Sequence, residues 1–144
     1  MDGFSRREEP YQLNVFGEKI ISCSCYKNHQ NKVNSSTLTG YYRDGYCNTG
    51  SDDLGLHTVC AIMTSEFLDY SKSVGNDLST PIPKFNFSGL NHGDHWCLCA
   101  ERWKQAYLDN KAPKIILKST NIITLSVINI EILKRFDINY QGGN

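Results

Sequence analysis

The chain has 144 residues, 40% of them hydrophobic, 11% aromatic and 21% charged, and fifteen Lys and Arg balance fifteen Asp and Glu. That length suits one hydrophobic core, and that composition excludes a disordered tail. Zero formal net charge, with no cationic run longer than Arg6-Arg7, speaks against nucleic acid as a partner, because phosphate contacts supply most of such affinity.

Met1 to Gln12 is polar and charged and reads as a flexible tail with no secretory signal. Residues 13–137 read as a single globular domain, and residues 138–144, ending Gly142-Gly143-Asn144, as a second tail. Apolar stretches such as Ile115 to Leu117 are far short of the roughly 20 residues that span a bilayer. The expectation is a soluble cytoplasmic protein with no membrane partner.

Tyr26 to Thr37, which includes His29, is rich in Asn, Lys and Ser and reads as a surface loop. Gly40 to Gly55 is dense in Gly, Asp and Asn, so turns must satisfy its backbone polar groups. His57 to Met63 is β-branched and apolar, the pattern of a buried strand. Thr64 is a good N-cap, Glu66 suits a first turn, and Gly75-Asn76 is a stop, which predicts a helix over Ser65 to Val74.

Pro81 and Pro83 enforce an extended connection to Phe87. Asp94 is positioned to cap a second helix, with Trp96, Cys99, Ala100, Trp103 and Ala106 on one face, ending near Asn110. Lys114 to Lys118 and Leu125 to Ile128 read as strands, and Asn129 caps a short helix to Phe136. The prediction is an α+β fold: one compact domain of short strands, two longer helices and a short C-terminal helix.

The six cysteines are Cys23, Cys25, Cys47, Cys60, Cys97 and Cys99. Their even number admits disulfides, but the absence of an export signal favours reduced thiols that pack in the core, bind metal or react. In a helix capped by Asp94, Cys97 and Cys99 fall in the first turn, where unpaired amides stabilise a thiolate. Cys99 lies on the apolar stripe and reads as packing, whereas Cys97 lies off it and reads as the reactive candidate. The catalytic candidates are Cys47, His57, Cys97, Asp94 and Asp44, the thiol, imidazole and carboxylate of nucleophilic catalysis. Arg43 is the candidate to orient an anionic or polar substrate. Cys47, His57, Cys60 and Cys97 supply the donor types for zinc, although no C-x-x-C pair is present and a strand would send His57 and Cys60 to opposite faces.

Four strings are distinctive: Thr39 to Gly50, Gly55 to Ala61, Gly75 to Pro81 and Gly93 to Trp103. They resemble a bacterial family known as domain of unknown function 2237, over roughly Asn14 to Leu133. The resemblance implies one compact domain and brings no assigned activity with it. Cys47, His57, Cys60, Asp94, Cys97 and Cys99 match the family pattern. Tyr46, His95 and Asn121 depart from it, standing where Cys, Arg and His are frequent.

The sequence therefore leaves three readings open. One is a small enzyme or redox protein using a Cys/His/Asp site on an unknown small molecule. Another is a non-catalytic module for a small ligand or zinc, and the third is an interaction domain with structural cysteines.

Overall fold

The computed structural model describes residues 11–24 and 38–141. The loop expected over residues 26–37, with His29, lies outside the described residues, as do Cys25, residues 1–10 and residues 142–144.

Two strands form the centre, β1 (His57–Ile62) and β2 (His95–Cys99), paired antiparallel. The register sets Val59 opposite Leu98, Cys60 opposite Cys97, Ala61 opposite Trp96 and Ile62 opposite His95. Because strand side chains alternate between faces, this pairing sorts the ribbon into two layers. Val59, Ala61, Trp96 and Leu98 join the larger apolar core, whereas Cys60 and Cys97 pack with Ile20, Cys23, Cys47 and Ile116. Both faces are covered, and that is why the strand sequence is a continuous apolar run and does not alternate with polar residues.

Helix α1 (Ser65–Ser73) begins where Thr64 Oγ1 accepts the Phe67 amide at 3.0 Å, and it buries Phe67, Leu68 and Ser71. Helix α2 (Ala100–Leu108) buries Ala100, Trp103 and Ala106. Trp103 is fully buried, donates Nε1–H to the Pro113 carbonyl at 3.1 Å and meets Tyr107 and Phe136 ring to ring. Helix α3 (Ile130–Phe136) is capped by Asn129, whose Oδ1 accepts the Glu131 amide at 2.7 Å, and it contributes Leu133 to the core. Three helices and a two-stranded antiparallel sheet make the described chain a small α+β fold, as the sequence predicts.

Four expectations change. The connection expected to run extended from Pro81 to Phe87 tightens into a 3-10 turn over Pro83–Phe85, with Ile82 and Phe87 bridged across it. The second helix starts at Ala100, not after Asp94, because residues 95–99 pair with β1 and only Ala100, Trp103 and Ala106 keep the helical stripe. Asp94 instead closes a turn, its Oδ2 accepting the Asn91 amide at 2.8 Å. The strand expected over Lys114 to Lys118 shrinks to a single bridge at Ile115, which pairs with Ala61 and Asp137. The chain then folds into a 3-10 turn over Leu117–Ser119, with the Leu117 amide donated to Asp137 Oδ1 at 3.0 Å. The strand expected over Leu125 to Ile128 is also replaced, by a 3-10 segment over Ile122–Ser126 that Asn121 caps through the Ile123 amide.

Candidate functional site

The turn-rich segment before β1 builds an imidazole–carboxylate pair. A loop closed by the Asp53 amide on the Gly50 carbonyl and the Leu56 amide on the Asp53 carbonyl carries the Asp53 side chain inward, where it is 1% exposed. Asp53 Oδ1 lies 2.7 Å from His57 Nδ1, while Oδ2 accepts the His57 amide at 2.9 Å and the Thr49 hydroxyl at 3.0 Å. Burial pushes the Asp53 carboxyl upward. The hydrogen bonds from the His57 ring, the His57 amide and Thr49 outweigh it and hold the group below the ordinary value of 3.8. An ionised carboxylate only accepts, so His57 Nδ1 carries the proton and a neutral ring keeps Nε2 as a free base. The His57 side chain is 37% exposed, so part of the ring is open to solvent.

Two further contacts restrict the ring, and the backbone before it is strained. Tyr41 stacks on it, with centroids 5.8 Å apart and planes 19° off parallel. Gly55 lies so close that a Cβ built there would stand 2.7 Å from His57 Cε1. Leu56 takes φ +49, a left-handed conformation a bulky residue rarely adopts. Its carbonyl accepts both the Thr58 amide at 2.8 Å and the Ala100 amide at 3.0 Å, which ties down the bulge where β1 and β2 slip by one residue. The register places His57 opposite Cys99, the free thiol among the described residues, which is half-buried. An open pocket of about 440 Å³ lies beside the loop that carries the pair, walled by Leu13, Leu56, Ile122 and Ile123 with Thr49 and Asn121 among its polar groups; Thr49 links it to Asp53, and neither Asp53 nor His57 lines it.

The sulfur layer lies between β1, β2 and the loops before them. Cys23 is bonded to Cys60 and Cys47 to Cys97, and all four are at most 1% exposed. This corrects the expectation of reduced thiols. Cys47 and Cys97 are disulfide partners here and not free nucleophiles, and Cys97 sits in β2, two residues before the N-cap of α2 and not in its first turn. The sulfurs of Cys23, Cys47 and Cys60 lie within 4.8 Å of one another. Of the anticipated zinc quartet, Cys47 and Cys60 thus share a group with Cys23, while the His57 ring is turned to Asp53 and lies outside that group.

The remaining candidates disperse. Asp44 accepts the Tyr46 amide at 3.0 Å and the Asn48 side-chain amide at 3.2 Å, which is turn chemistry. Arg43, at φ +58, carries its guanidinium 5.2 Å over the Trp96 ring. Tyr42 donates to Asp52 at 2.7 Å, and that hydrogen bond pushes its phenol up to about 12.

Sequence reasoning gave Asp53 only a turn role and left Cys23 and Cys99 out of the candidates. The i, i+4 spacing of Asp53 and His57 is a faint local signal. The disulfide pairings, 37 and 50 residues apart in sequence, leave none.

No helix among the described residues is long and apolar enough to cross a membrane. No curated protein matches the chain. The profile of a family described as an uncharacterised protein conserved in bacteria, domain of unknown function 2237, matches residues 13–137. That span takes in β1, β2, all three helices, the Asp53–His57 pair and the four disulfide-bonded cysteines, and the chain belongs to this family.

Proposed function

We propose that the domain is a small thiol enzyme in which Asp53 orients His57, His57 Nε2 serves as general base and the Cys99 sulfur is the nucleophile. The observation that carries this reading is the buried Asp53 carboxylate 2.7 Å from Nδ1 of a part-exposed histidine. That arrangement fixes one tautomer and favours the imidazolium formed after proton abstraction. Cys99 is the thiol the strand register brings opposite that base. In the reaction, Nε2 takes the Cys99 proton as sulfur bonds to an electrophilic carbon, and the same proton passes to the departing group. Water then cleaves the thioester-type intermediate and regenerates the thiol. The pocket beside this loop suits a small molecule with an apolar body, and its wall residue Leu56 directly precedes His57.

The test is alkylation of Cys99 by iodoacetamide, followed by peptide mass spectrometry, in a Cys25→Ser background. At neutral pH, His57→Gln is expected to slow modification by about a hundredfold, the lower end of what a positioned base contributes. Gly55→Ala, which drives a methyl into the ring position, is expected to slow it in the same direction with the fold intact. Equal Cys99 rates in all three proteins would remove the nucleophile from the proposal.

A further inference from the structure

The sulfur layer carries a second site that shares no residue with the proposed catalytic group. We propose that, once both disulfides are reduced, Cys23, Cys47, Cys60 and Cys97 form a closed tetrathiolate site for one zinc ion, and that oxidation empties it. Zinc–sulfur bonds of about 2.3 Å in a tetrahedron set the four sulfurs roughly 3.8 Å apart. The sulfurs of Cys23, Cys47 and Cys60 already lie within 4.8 Å of one another, and the fourth is bonded to Cys47. Opening two disulfides to that separation moves each sulfur by about an ångström, within the reach of side-chain rotation.

Strand register and hydrogen bonds position these cysteines in addition to the bonds between them. Cys60 and Cys97 are opposed in the strand register, and their amides are donated to Thr120 Oγ1 at 3.1 Å and Thr39 Oγ1 at 2.7 Å. The Cys23 amide is donated to the Gly45 carbonyl at 2.7 Å, and the Cys47 carbonyl accepts from Asn121 Nδ2 at 3.0 Å. Reduction therefore leaves four thiols facing one another in a layer closed to water, with Ile20 and Ile116 around them. Four soft sulfur donors and no opening for a water molecule describe a structural zinc site, not a catalytic one.

The chemistry balances with a hydroperoxide as oxidant. Two hydrogen peroxide molecules take four electrons from the zinc-bound thiolates, forming two disulfides, one free zinc ion and four hydroxides. A dithiol reductant reverses the step by thiol–disulfide exchange, and its own sulfurs become the disulfide. Metal occupancy in this layer thus reports the redox state of the surroundings.

The experiment uses the full chain, reduced with a phosphine under anaerobic conditions and titrated with cobalt(II) and then zinc. The expected result is one cobalt per chain, with sulfur-to-cobalt charge-transfer bands and tetrahedral visible bands that zinc abolishes. Two equivalents of peroxide should then release the zinc to a chromogenic chelator as four thiols disappear. His57→Gln should bind metal like the wild type, which separates this site from the catalytic proposal. Cys23→Ser and Cys60→Ser should each shift or abolish the cobalt bands. If the reduced chain unfolds, zinc is expected to restore its circular dichroism. Absence of thiolate bands with the fold retained, failure of zinc to restore a lost fold, or unchanged bands in both serine variants would each overturn the site.

Discussion

At the scale of the residue, one carboxylate decides the geometry of the proposed active site. Asp53 is buried and ionised, and its two oxygens accept three hydrogen bonds from His57 and Thr49. Its neutral amide analogue would break the match, since Asn cannot accept on both sides. Asp53→Asn is expected to lower stability by about 2 kcal/mol at pH 7, the size of a hydrogen bond to a charged group. The pH dependence has a definite sign. A carboxyl held below its ordinary value of 3.8 contributes stability that is complete above that value and is lost as pH falls through its lower folded value. Urea midpoints of wild type and Asp53→Asn should thus keep a steady gap from pH 7 down to about pH 4 and draw together only as pH falls further below 3.8. A gap that stays the same size well below 3.8 would show that the loss comes from packing and not from the charge.

At the scale of the element, caps and stripes carry local stability. Thr64 satisfies the first turn of α1 through one hydroxyl, and Thr64→Ala is expected to cost about 1 kcal/mol in a denaturant titration. A change below about 0.3 kcal/mol would mean that other groups satisfy that turn. Elements of this kind were legible in the sequence because their signals are local. Thr64 with Glu66 and Gly75 marked α1, Asn129 marked α3, and the run from His57 marked β1.

Residues 95–99 were illegible for a physical reason. Trp96, Cys99 and Trp103 satisfy a helical period, while Trp96 and Leu98 facing one side and Cys97 the other satisfy a strand period. The choice was made by β1, a partner more than thirty residues away that leaves no mark in the local pattern. The candidate site divides in the same way. His57 stood out by residue type, whereas the inward turn of Asp53 and the convergence of Cys23, Cys47, Cys60 and Cys97 are properties of the folded chain.

At the scale of the whole molecule, the two faces of one ribbon are stabilised by different chemistry. The helix face holds by apolar burial around Trp103, Phe67 and Leu133. The opposite face holds by two disulfides that close loops of 37 and 50 residues, each worth about 4 kcal/mol by chain entropy, though not additively because the loops overlap. Reduction with metal chelated should therefore raise hydrogen exchange in residues 20–24 and 38–49 while α1 and α2 keep their protection. Uniform loss of protection across the chain would show that the two layers form one cooperative unit.

The pairing of Cys23 with Cys60 and Cys47 with Cys97 has one more consequence. The two covalent rings interlace, the second opening before the first has closed. A single peptide bond cut anywhere from Cys23 to Cys97 therefore leaves the two pieces joined by at least one bridge. In its oxidised form the protein tolerates a nick in any loop of that span without releasing a fragment, and the same nick divides it in two once its thiols are free.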